Sequence, residues 1–84
     1  MELIIHKQVI KALKRIQPKI AQAIMADLDA IAADPFGPHP KAKALTDRPN
    51  YFRYRQGGWR LLYRIDREGQ VVVVEILETR GDIY

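Results

Sequence analysis

The sequence predicts an α+β fold of order β-α-α-β-β-β, with a helical hairpin packed on a small, mainly antiparallel sheet. Three observations lead there. Apolar residues recur at helical spacing up to Ala33, three prolines between Asp34 and Pro40 then break the chain, and from Tyr51 the pattern alternates with period two.

Leu3–Ile5 reads as a short edge strand. His6 to Ile16 reads as a helix with Ile10, Leu13 and Ile16 inward and Lys7, Lys11, Lys14 and Arg15 toward water. Gln17-Pro18 interrupts it, and proline suits the first turn of a second helix ending near Ala33. Ile20, Ile24, Leu28 and Ile31 mark that helix's apolar stripe, and Ala21, Ala23, Ala26 and Ala30 permit close packing. A long loop to about Asn50 follows, of the kind that often carries a functional or partner-binding segment. Tyr51 to Gln56, Trp59 to Ile65 and Val71 to Leu77 are then three strands. Gly57-Gly58 is a two-residue hairpin signal, and Asp66-Arg67-Glu68-Gly69 a four-residue turn.

The 84 residues are expected to form one domain, 1–84, of marginal stability, because so short a chain buries only about 60–65% of its unfolded surface. A protein partner is one way to supply what is missing. Cysteine is absent, which excludes disulfides, thiolate zinc sites and cysteine nucleophiles. His6 and His39 are too few for a metal set, so neither metal nor cofactor is expected. No purely apolar run exceeds the four residues of Val71 to Val74, far below the roughly 20 residues of a membrane span. The expectation is a cytoplasmic protein with no membrane partner.

Net charge is +4 and the isoelectric point is near 9.6, which suits a polyanionic partner. The cations are sorted along the chain. Every lysine precedes Tyr51, whereas Arg53, Arg55, Arg60, Arg64, Arg67 and Arg80 follow it. Arginine's planar fork binds phosphate bidentately, so this switch points to recognition rather than solubility alone.

With Gly57-Gly58 as the whole loop, Arg55 pairs with Arg60, Arg53 with Leu62, Tyr54 with Leu61 and Phe52 with Tyr63. One face then carries Phe52, Tyr54, Leu61 and Tyr63 under the helices. The other carries Tyr51, Arg53, Arg55, Arg60, Leu62 and Arg64. Two arginines directly opposed repel unless something anionic offsets them. The four-residue turn predicts Ile65 opposite Gln70, Leu61 opposite Val74 and Arg60 opposite Glu75. Glu75 is then either half of a cross-strand ion pair or a catalytic carboxylate. Arg80 and Tyr84, beyond the third strand, are close enough in sequence to fold onto the same face.

Lys41-Ala42-Lys43-Ala44-Leu45, Tyr51-Phe52-Arg53-Tyr54-Arg55, Gly58-Trp59-Arg60-Leu61-Leu62-Tyr63-Arg64-Ile65, the valine strand and Arg80-Gly81-Asp82-Ile83-Tyr84 together resemble the RelE/ParE toxin superfamily over nearly the whole chain. The resemblance implies the toxin of a type II toxin–antitoxin system, held by a cognate antitoxin that binds operator DNA for the pair. In the RelE branch it implies an endoribonuclease that cuts mRNA in the ribosomal A site without a metal. Carried onto this sequence, Arg60 binds the scissile phosphate, Arg80 follows the last strand and Tyr84 is the C-terminal tyrosine. Arg53, Arg55, Tyr51 and Lys43 contact RNA, and Glu75 and Tyr84 are the candidates for proton transfer. Two departures stand out. Tyr51 and Arg53 occupy positions where RelE has lysines, and Thr79 stands where many relatives have histidine. The alternatives are a ParE-like gyrase inhibitor, and a non-catalytic member that only binds antitoxin or operator.

Overall fold

The computed structural model describes residues 1–79. The elements run β1 (Glu2–Ile5), α1 (Lys7–Leu13), α2 (Pro18–Ala33), β2 (Ala42–Ala44), β3 (Tyr51–Gln56), β4 (Trp59–Asp66) and β5 (Val71–Thr79). They build one five-stranded sheet of order β1-β5-β4-β3-β2. β1 runs parallel to β5, and the other neighbours are antiparallel. The predicted α+β architecture is therefore present, with one strand more than the sequence suggested. β2 lies inside the segment expected to be loop.

Helix α1 is capped by His6, whose imidazole Nδ1 accepts from the Gln8 amide at 3.1 Å. It is shorter than expected. Of the predicted inward residues, Leu13 and Ile16 do pack on the core, whereas Ile10 is 41% exposed and the fully buried Val9 stands in its place. Helix α2 opens on Pro18, where a missing N–H costs nothing. Its Ile24, Leu28 and Ile31 are buried as their spacing predicted. They pack on Tyr54, Leu61, Tyr63, Ile65, Val72, Val74 and Leu77 from one side of the sheet. Phe52 and Tyr63 stack with ring centres 5.2 Å apart.

The β3–β4 hairpin has the derived register: Gln56 opposes Trp59, Arg55 opposes Arg60, and Phe52 opposes Tyr63. Gly57 takes φ +57°, the left-handed conformation a tight hairpin turn demands of its first residue.

The β4–β5 register departs from expectation. Asp66 still belongs to the ladder, so the turn is Arg67–Gln70, and Ile65 opposes Val72 instead of Gln70. Further along, Tyr63 opposes Val74 while Leu62 opposes Ile76, which leaves Glu75 as one extra residue in β5. This bulge changes the alternation. Val72 and Val74 face the core, and so does Leu77, three residues on. Leu61 thus opposes Leu77 rather than Val74, and Arg60 opposes Glu78 rather than Glu75.

Candidate nucleic-acid interface

The sheet face turned away from the helices is built by alternation. Arg53 and Arg55 project from β3, and Arg60 projects from β4 directly across from Arg55. Lys43 opposes Arg53 from the edge strand β2. The backbone of Lys41, just before β2, is held to β3 by the Arg55 amide, which donates to the Lys41 carbonyl at 3.0 Å. Lys41, Lys43, Arg53, Arg55 and Arg60 line one open groove of about 710 Å³, together with Pro40 and Gly57 among the described residues. Among these lining residues there are five cations and no carboxylate. Such a surface concentrates anions, and the forked guanidinium groups can grip phosphate oxygens in pairs.

Of the predicted site residues, the structure gathers Arg53, Arg55, Arg60 and Lys43 into this groove. Tyr51 and Glu75 line a separate one of about 800 Å³ with Arg64 and Arg67. There Arg64 Nε donates to Glu75 Oε2 at 2.9 Å, and the Arg48 guanidinium lies 4.0 Å over the Tyr51 ring. The expected Arg60–Glu75 pair is thus replaced by Arg64–Glu75, because the shifted turn stops Glu75 two places short of Arg60 and the bulge leaves it between Leu62 and Tyr63. Arg80 and Tyr84 lie outside the described residues.

Two residues near the groove were not singled out from sequence. Glu78 stands directly across from Arg60, a position only the bulge creates. Lys41 joins the groove at its rim, where its ammonium also donates to Gln56 Oε1 at 2.6 Å and meets Asp27 Oδ2 at 3.5 Å. The paired lysines of Lys41-Ala42-Lys43 were the available signal, since alternation puts both on one side of a strand.

Behind the rim, the buried Tyr54 hydroxyl donates to Asp27 Oδ2 at 2.5 Å. Burial, reinforced by the Asp27 carboxylate, pushes the Tyr54 phenol far above its ordinary range, so it stays protonated. Burial alone pushes Tyr63 up to about 12. Among the described residues there is no cluster of histidine, aspartate and glutamate suited to a metal ion, and no helix is long and apolar enough to cross a membrane.

Residues 3–83 match the family described as ParE toxin of type II toxin-antitoxin system, parDE. No curated protein sequence matches the chain. Among solved structures, the toxin–antitoxin complex RelBE2 of Mycobacterium tuberculosis is similar at 27% identity and TM-score 0.72, covering 94% of this chain and 96% of that one. The archaeal RelE–RelB complex of Pyrococcus horikoshii is similar at 26% identity and TM-score 0.81, covering 96% of each chain. A YoeB/ParE toxin from Agrobacterium tumefaciens shares the fold at 20% identity and TM-score 0.77, covering 96% of this chain and 100% of that one.

Proposed function

Because the chain belongs to the ParE toxin family of type II toxin–antitoxin systems, we propose that its arginine face works on RNA, as a ribosome-dependent endoribonuclease that cuts mRNA in the A site. The observation that carries this reading is the convergence of five cations on one groove, with no carboxylate among its described lining residues and Arg55 set against Arg60. Opposed guanidinium groups repel, and a bound phosphate converts that repulsion into binding.

The ribose 2′-oxygen attacks the adjacent phosphorus, forming a 2′,3′-cyclic phosphate while the bond to the 5′-oxygen breaks. Arg60, seconded by Arg53 and Arg55 and by Arg80, offsets the charge that grows on the phosphorane oxygens. One group must take the 2′-hydroxyl proton and another must protonate the leaving 5′-oxygen. Glu78, across from Arg60, and Tyr84 are the groups to test first. Glu75 ranks behind them, since its carboxylate is engaged by Arg64. Lys43 and Tyr51 hold the flanking nucleotides. No metal or cofactor takes part in this scheme.

A cognate antitoxin is the expected partner, because the similar Mycobacterium and Pyrococcus structures are toxin–antitoxin complexes. It would cover the arginine face or the helix pair and add stability by mass action. Operator DNA would be met only through it. The site of action would be the cytoplasm.

The ParE name of the matching family favours a second reading, a gyrase inhibitor of the same fold. Primer extension on translated mRNA separates the two. Cleavage that falls about 10²–10³-fold in Arg60→Ala supports the nuclease. Growth arrest with intact mRNA and blocked supercoiling supports the gyrase target. Normal growth on expressing the chain alone would mark a member that only binds its partner.

A further inference from the structure

A second cavity, of about 220 Å³, opens beside the arginine groove and shares Pro40 and Lys41 with it. Its remaining lining is Asp27, Ile31, His39 and Tyr54. Apolar and polar groups are segregated within it. Ile31 and the Pro40 ring offer flat apolar contact, and His39 is fixed by a 2.6 Å hydrogen bond between its Nε2 and the Asp34 carbonyl. The polar wall is Asp27, held by the Tyr54 hydroxyl, with the Lys41 ammonium 3.5 Å from the same Oδ2. Neither of these contacts uses Oδ1, and the Asp27 side chain keeps 38% of its exposure.

We infer that this cavity is a nucleobase pocket selective for guanine, which receives the base of a nucleotide whose phosphate lies in the arginine groove. The inference deepens the RNA-binding reading of that groove and rests on it. A carboxylate beside an ammonium presents acceptors next to a donor. Guanine's pairing edge is the complement, with N1–H and the N2 amino group as donors next to the O6 acceptor. Adenine and cytosine turn a ring-nitrogen lone pair toward the carboxylate and are repelled. Uracil offers a single N–H between two carbonyls. The raised proton affinity of Tyr54 keeps its hydroxyl a donor to Asp27, so the carboxylate remains an acceptor toward the base. Lys41 links the two sites, since it lies at the rim of both.

The test is equilibrium binding of GMP, AMP, CMP and UMP to the purified chain at one salt concentration, followed by NMR. GMP should bind at least about fivefold more tightly than the other three, the discrimination expected of one bidentate base contact. Its titration should shift the Ile31 methyl and His39 ring signals as well as groove resonances. Asp27→Asn should abolish the preference while binding of inorganic phosphate persists. Equal affinities for the four nucleotides, or shifts confined to the groove, would overturn the inference, and the map on the unmodified chain decides this even if the variant unfolds. GMP-selective binding by a chain that never cuts mRNA would support the pocket and remove the nuclease reading.

Discussion

Arg64 and Glu75 form a 2.9 Å hydrogen-bonded ion pair across β4 and β5, at the point where β5 carries one residue too many. Both side chains are about one-third exposed, so solvent screens the pair and its net contribution to stability is about 0–1 kcal/mol. Its effect is on placement: it occupies the Glu75 carboxylate away from Arg53, Arg55 and Arg60. On the proposed nuclease reading, Glu75→Gln is therefore expected to keep mRNA cleavage within about threefold of the parent. Arg60→Ala should lose about 10²–10³-fold. Comparing single-turnover rates of the two variants checks this, and a collapse in Glu75→Gln would return the catalytic carboxylate to that position.

The bulge makes an unusual deletion tolerable. Removing one residue from a regular strand sends every later side chain to the opposite face. Removing Glu75 instead leaves Val74 opposite Tyr63, Ile76 opposite Leu62 and Leu77 opposite Leu61, an unbroken ladder with Leu77 still inward. The Glu75 deletion should melt cooperatively within about 5 °C of the parent, since about 1 kcal/mol moves a domain of this size by about 4–8 °C. Deleting Val73 should abolish the folded circular dichroism signal.

Arg55 facing Arg60 costs stability in the free protein. Replacing Arg55 with threonine should raise the melting temperature by about 2–4 °C, corresponding to about 0.5 kcal/mol of relieved repulsion. The same change should weaken binding to single-stranded RNA and flatten its salt dependence by about 0.7 in the slope of log K against log salt. Calorimetry and a salt titration read the two effects, and a variant that becomes less stable would show that the pair is not strained.

High pH should undo the fold through its buried phenols. Tyr63 releases its proton near 10 when unfolded and only near about 12 when folded. Between those values the folded state binds more protons, so stability is fully present below pH 10 and falls as pH rises through the folded value. Tyr54 acts in the same direction. Unfolding free energies of the parent should decline above pH 10 more steeply than those of Tyr63→Phe. Parallel declines would show that Tyr63 does not carry the effect.

The legible parts of the fold were those enforced by short-range chemistry. Gly57-Gly58 fixed one turn length and hence every pair from Phe52 to Tyr63, which is why the arginine face is legible in the sequence. Pro18 and the Ile24–Leu28–Ile31 spacing did the same for α2. The bulge was not legible. Neither glycine nor proline marks Glu75, and the feature arises because Leu77 fills the core while Glu78 stays outside, a tertiary preference. Ala42–Ala44 carries too little side chain to signal a strand, and only pairing to β3 makes it one. For α1, Val9 and Ile10 are adjacent and equally apolar, so packing on β5 decided which turned inward.

β1 and β5 lie at opposite ends of the described chain yet pair side by side, Glu2 with Val71 and Ile5 with Val74. A nascent chain that has not yet delivered Val71–Thr79 therefore has two helices and a hairpin with no strand between them to pack on. Contacts so distant in sequence form late. A chain stopped before Val71 is thus expected to stay unfolded, since nothing would join β1 to the hairpin in one sheet.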